Sequence, residues 1–286
     1  MKKHALTFCN AGSRISGFRL ACLFHHLASG ETGRASRHRT RMAPPGNRRG
    51  YATIALRSGK ILRTTMNVPY DLLSPAWHWV AAGLYLLVLI PAVLTASWQR
   101  FRQQEAVHVF LGSCVGLLVM WHITTTTFPG LNYHYIGATL LTLMFGWQLA
   151  LVAYSLVYLG MMLNGSSDWQ TLPLNILVTG LVPILATHLI YRIVDRRLPN
   201  HFFVYIFLNA FFGAGLALVA MIGVASGILI LGGVYRLDHL LTEYYPFIPL
   251  MVFPESFITG MLITVMVAMA PSWVCTFDDV RYLHGK

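Results

Sequence analysis

From residue 66 onward the chain is a succession of apolar runs separated by short polar breaks. Residues 77–97 contain no Asp, Glu, Lys or Arg over 21 positions. At about 1.5 Å of rise per residue, such a run covers the roughly 30 Å of a bilayer's hydrocarbon core. Residues 106–124 form a second run, 174–194 a clean later one, 202–232 a long Gly-rich one and 247–270 the last. Residues 134–163 form a 30-residue run, about 45 Å as one straight helix and too long without strong tilt. Phe145, Gly146 and Trp147 fall in its middle and predict a break there.

Charge decides between one crossing and two, because cytoplasmic loops collect Lys and Arg. With two short helices in 134–163 the chain crosses seven times. One side then carries Arg100, Arg102, Arg192, Arg196, Arg197, Arg281 and Lys286, against Arg236 alone on the other. A single crossing would split the arginines near 192–197 from those at 100–102. The expectation is therefore an all-α, polytopic membrane helix bundle of about seven transmembrane helices, with Met66 outside and the C-terminus cytoplasmic. It is a multi-pass protein of the cell (inner) membrane, surrounded by lipids, with a permease domain at 66–270 and a solvated cytoplasmic tail at 271–286.

Composition agrees: 56% of the chain is hydrophobic and 11% charged, against about 25% charged in soluble proteins. A disordered chain, a disulfide scaffold and an ordinary cytosolic enzyme are excluded. The net charge of +11 is not spread evenly. Residues 1–65 hold 13 of the 21 Lys+Arg and one acid, Glu31, while the remainder holds 8 bases and 9 acids. Basic character thus belongs to the first segment and gives no reason to assign nucleic acid as a partner of the bundle. That segment lacks the apolar core of a secretory signal. A transit peptide, a basic arm and a start-site artefact are its three readings. An outward Met66 would require a +12 segment to cross the membrane against the charge rule, which favours a mature chain starting at or near Met66. Cys9, Cys22, Cys114 and Cys275 form no CxxC and no metal-ligand spacing.

Chemistry enters with the polar residues of the apolar runs. Glu255 sits inside the last run beside Pro254, and an intramembrane carboxylate is paired or functional. His78, His122, His134 and His239 fall toward the outer face, where neutral imidazoles suit nickel, cobalt, copper or zinc. A Phe128-Pro129-Gly130 turn lies between His122 and His134 and can bring both toward one mouth, lined also by Thr124–Thr127 hydroxyls. A lone interfacial histidine otherwise serves as a hydrogen-bonding anchor. Ala92 and Ala96 put two small residues on one helix face, suited either to a partner helix or to packing within the chain.

The stretch FPGLNYHYIGATLLTLMFG (128–146) resembles the loop-His-helix segment of CbiM-type permeases. These are the cobalt/nickel substrate-capture components of energy-coupling-factor transporters of the ABC class. DLLSP (71–75) resembles the family's opening segment, and LPLNILVTGLVPILATHLIYR (172–192) resembles its helix entered through an Asn, here Asn175. PESFITGMLIT (254–264) is similar to its final helix. The order and spacing cover 66–270. The resemblance implies seven crossings, no permanently bound cofactor, and nickel or cobalt as transported substrate. It implies as well that His134 is a metal ligand, matching the family's junction histidine. The family's amino-terminal Met-His has no match, since Asn67 and Val68 follow Met66. His122 or His78 then substitutes, with Glu255, Asn67 and Asn175 in support, or this branch carries something else. Small residues of the first helix, Ala92 and Ala96, would meet the coupling subunit.

Three functions follow. The first is substrate capture for a metal transporter of this type, not itself an enzyme. The chain has no GxxxxGK[ST] phosphate loop, so a coupling transmembrane subunit and ATPase subunits are implied partners. The second is a membrane binding or assembly protein of the same fold with a non-metal substrate. The third, an intramembrane enzyme or haem protein, is ranked last because no HExxH is present.

Overall fold

The computed structural model describes residues 68–282 apart from 124, 129, 130, 166 and 279–281, and excludes the side chains of 125–128, 132 and 133. The basic segment 1–65, the expected start at Met66, Asn67, and the charges Arg281 and Lys286 lie outside the described residues.

A 3-10 turn at Tyr70–Leu72 leads into α1, Pro75–Thr95. Pro75 opens that helix where a missing N–H is not needed. α2 follows at Gln104–Met120. After α2 the chain forms an antiparallel hairpin, β1 Thr125–Phe128 with β2 Leu131–Tyr133, pairing Thr125 with Tyr133 and Phe128 with Leu131. The β-branched threonines of this stretch favour strand backbone.

α3, Ala138–Phe145, and α4, Trp147–Leu163, flank Gly146 at φ +83°. The break expected at 145–147 is therefore present, and glycine permits its left-handed backbone. α5, Leu172–Arg197, is wound as a π-helix over Ile176–Leu181; α6, Phe202–Leu231, is likewise π-wound over Tyr205–Phe211. A short α7, Leu237–Glu243, precedes α8, Ile248–Met269, which contains Pro254. α1, α5, α6 and the stretch Leu237–Met269 are long and apolar enough to cross a bilayer. α2 and α4, at 17 residues each, sit at the lower limit of about 17 for a span.

α3 occupies the centre, with seven of its eight residues buried and neighbours in α4, α5, α6 and α8. Eight residues reach only about 12 Å, and the end of the chain completes the element. The Cys275 and Thr276 N–H groups donate to the carbonyls of Met144 (3.0 Å) and Leu143 (3.3 Å), and the Thr276 hydroxyl donates to Leu143 (2.8 Å). Helix-end carbonyls away from water need such partners. Residues 274–277 are consequently part of the bundle, not the solvated tail expected for 271–286.

Polar bonds between helices hold the core: Tyr85 to Ser155 (2.9 Å) joins α1 and α4, and Thr139 with Thr187 (2.8 Å) joins α3 and α5. Large apolar side chains point outward instead, Trp79 at 79% and Leu94 at 77% exposure on α1 among them. That inversion suits lipid, which solvates them as well as a protein core does. Ala92 and Ala96 correct an expectation. Both are buried in this chain's own bundle, at 0% and 9% exposure, so intrachain packing already uses the face read as meeting a partner.

Candidate metal site

His134 lies outside the helices, in the four-residue link from β2 to α3. Three neighbours fix that link. The Glu255 carboxylate, 5% exposed on α8, accepts the N–H groups of Ile136 (2.8 Å) and Gly137 (2.9 Å). The Tyr154 hydroxyl of α4 donates to the Ile136 carbonyl (3.1 Å). Tyr135 and Thr259, one turn beyond Glu255, share a hydroxyl bond at 2.9 Å. Gly137 has φ +67° as it enters α3, a conformation glycine adopts without the cost a Cβ would add.

Both ring nitrogens of His134 are shielded from solvent and have no hydrogen-bond partner. Its ring meets the edge of Trp121 at 5.0 Å between centroids and 73°. Trp121 is fully buried and makes two further edge contacts, with Tyr154 at 5.0 Å and Tyr158 at 5.1 Å. The Trp121 Nε1–H is also without a partner. Burial lowers the His134 imidazole to about 4, so the ring is neutral at physiological pH and its lone pair is available. A cavity of about 210 Å³ borders His134, Tyr135, Met221, Met251 and Glu255.

Asn175 grips the start of the described chain: its Oδ1 accepts from the Val68 N–H at 3.1 Å, and its Nδ2 donates to the Val68 carbonyl at 3.5 Å. Five residues along α5, Gly180 lies so close to Tyr154 that a Cβ there would sit 2.6 Å from the ring. Val68 is thereby anchored one turn of α5 from the aromatic group around His134.

The other histidines are occupied differently. His78 is buried, stacks on Tyr70 at 4.5 Å, and its Nε2 bonds the Tyr70 carbonyl at 3.2 Å, holding the 3-10 turn against α1. His122 is exposed, with Nδ1 on the Leu118 carbonyl (2.8 Å) and Nε2 accepting from Asn164 (2.9 Å). Among the described residues no three His, Cys, Asp or Glu side chains converge as a metal-holding group. The structure thus brings Glu255 to the His134 link and gives both nitrogens of His122 partners, while His78 is bonded through Nε2 only and its buried Nδ1 has no partner. Asn67 lies outside the described residues.

A family model for the cobalt uptake substrate-specific transmembrane region, CbiM, matches residues 67–273. The chain belongs to the CbiM family. Its fold also matches two crystal structures described as a truncated transition metal transporter and a transition metal transporter. The first is 19% identical, covers 71% of this chain and 99% of its own, and has a TM-score of 0.60; the second gives 18%, 71%, 93% and 0.59. No curated sequence matches the chain. As a CbiM protein with several apolar spanning helices it is a multi-pass inner-membrane transporter component, not an enzyme.

Sequence reasoning did not single out Trp121 or Tyr154. Trp121 closes an apolar run, where a tryptophan reads as an interface anchor. Only tertiary packing shows it to be buried against His134.

Proposed function

We propose that this CbiM protein is the substrate-capture membrane component of an energy-coupling-factor transporter, importing cobalt or nickel, with His134 as primary ligand. The observation that carries the reading is His134 itself: a neutral imidazole with both nitrogens buried and unpartnered. Leaving such a group unsatisfied is costly unless a ligand completes it. Asn175 supports the site by anchoring Val68; Asn67, which lies outside the described residues, is kept as a supporting residue on the sequence alone. Glu255 acts through the backbone of 136–137, fixing where His134 points. His122 becomes a ligand only by giving up the bonds both its ring nitrogens make, whereas His78 keeps a buried Nδ1 without a partner beside its Nε2 bond. Cobalt and nickel are separated from copper, which an N/O site prefers intrinsically, by imposed geometry. Without a phosphate loop, energy comes from partner ATPases through a coupling subunit.

Metal content and cobalt affinity of the purified protein test this. Stoichiometric cobalt or nickel in the wild type, lost in His134→Ala and kept in His122→Ala, is the expected result. Absence of metal at neutral pH would favour the second reading, a same-fold protein with a non-metal substrate. That reading draws on the lack of a three-residue donor set among the described residues.

A further inference from the structure

We propose that Pro271–Phe277 is a latch on α3: docked, it holds the His134 link in place, and lifted, it loosens that link and lets a captured ion leave. The cargo in this statement rests on His134 being a metal ligand; the connection between latch and link does not.

α3 is a short rod between two hinges. Gly137 at φ +67° and Gly146 at φ +83° flank it, backbone positions able to absorb a change of direction. Its eight residues are too few to hold a helix by their own bonds, so the attachments of its ends matter. At one end the Glu255 carboxylate and the Tyr154 hydroxyl hold Ile136 and Gly137. At the other, the latch supplies three donors to the carbonyls of Leu143 and Met144. About 12 Å of helix separates the two.

The latch has little structure of its own. Past the 3-10 turn Pro271–Trp273 it is irregular chain, with Val274 and Phe277 buried. Two polar side-chain attachments pin it. The Tyr205 hydroxyl of α6 donates to the Thr276 hydroxyl (2.6 Å), which in turn donates to Leu143. The Trp273 indole N–H donates to the Glu105 carboxylate of α2 (2.9 Å), and both of these residues are exposed. Glu105 stands three residues past Arg102, so this attachment lies within reach of a molecule on the face expected to be cytoplasmic. Lifting the latch strips two carbonyls of their donors, which carries the full desolvation penalty unless the helix end moves toward water. Motion of so short a rod about Gly146 carries its other end, and the 134–137 link with it, away from Glu255.

Hydrogen exchange of the metal-free, full-length protein in detergent tests the connection, read in peptides covering 134–137. Trp273→Phe removes one exposed N–H and Thr276→Val one hydroxyl. Each is expected to speed exchange there about tenfold with little change in thermal midpoint. A bridge from Glu105→Cys to Trp273→Cys, closed by a short bismaleimide with native cysteines replaced by serine, is expected to return exchange to the wild-type rate. Release of bound Co²⁺ to excess chelator tests the consequence, and is expected to be faster in both variants and slowed by the bridge. A plain structural clasp would speed exchange at 274–277 and at the end of α3 alone, so wild-type exchange at 136–137 in both variants overturns the proposal. Unchanged cobalt release alongside faster exchange, with binding still lost in His134→Ala, overturns it too. Cobalt binding indifferent to His134→Ala overturns the metal reading instead, and exchange at 136–137 still decides, for or against, whether the latch holds the link.

Discussion

At the scale of single residues, burial inverts an expectation drawn from histidine's ordinary chemistry. Unperturbed imidazole near 6.5 would release metal as pH falls through that value. His134 is held down at about 4 by desolvation, so protons compete for its lone pair only far below 6.5. Cobalt affinity is therefore expected to stay nearly flat from roughly pH 7 to roughly pH 5.5, then fall. A titration series across that range checks it, and a midpoint near 6.5 would show the ring to be solvated. Stability follows the same sign. The unfolded ring takes a proton near 6.5 and the folded one resists to about 4, so stability present above 6.5 declines as pH drops through that window. Glu255 supplies a second prediction. Its two oxygens accept the N–H groups of Ile136 and Gly137, whereas Gln offers one acceptor oxygen and an NH₂. Glu255→Gln leaves one buried N–H unpaired, a cost of about 1–3 kcal/mol. Both the thermal midpoint and the His134-dependent cobalt affinity should fall, measured on the same detergent-solubilised sample.

At the scale of elements, what was legible in the sequence is what periodicity and charge encode locally. Each apolar run became helical, and the long run at 134–163 breaks at Gly146, where Phe145, Gly146 and Trp147 interrupt it. The hairpin at 125–133 and the docking of 274–277 were not legible. Short strands and a capping tail are selected by which groups remain unpaired after the helices pack, here the carbonyls of Leu143 and Met144. The site divides the same way. His134, Glu255 and Asn175 stand out as polar residues in apolar sequence, but their partners are backbone groups of Ile136, Gly137 and Val68, which no residue identity announces. The π-wound part of α5 shows the consequence in packing, since Gly180 there admits the Tyr154 ring. A Cβ would lie 2.6 Å from that ring, which cannot yield because Trp121 and Tyr158 hold it. Gly180→Ala should cost about 1–3 kcal/mol by overpacking. Gly223→Ala, where nothing lies within 4 Å, should cost nothing. Thermal unfolding of the two variants side by side separates them.

At the scale of the whole molecule, capture requires that the His134 link face the compartment supplying the metal, and the charge distribution proposes which side that is. Arg100 and Arg102 lie in the connection between α1 and α2, and Arg192, Arg196 and Arg197 at the end of α5, all on one expected face. The link bearing His134 and the α6–α7 connection with Arg236 belong to the other. The positive-inside rule makes the arginine-rich face cytoplasmic and the His134 face external. The same rule opposes export of the +12 segment ahead of residue 66, so the working permease is proposed to start at or near Met66. Single-cysteine probes can read both proposals in intact cells. Gln99 is exposed in the α1–α2 connection and Asp238 in the first turn of α7, on the opposite expected face. A membrane-impermeant thiol reagent should label Asp238→Cys in intact cells and Gln99→Cys only after permeabilisation, with native cysteines replaced by serine. Deleting residues 1–65 should leave that pattern, and cobalt accumulation in cells supplying the partner subunits, unchanged. Labelling of Gln99→Cys from outside would invert the bundle and place the His134 link on the cytoplasmic side, where it could release a metal but not capture one.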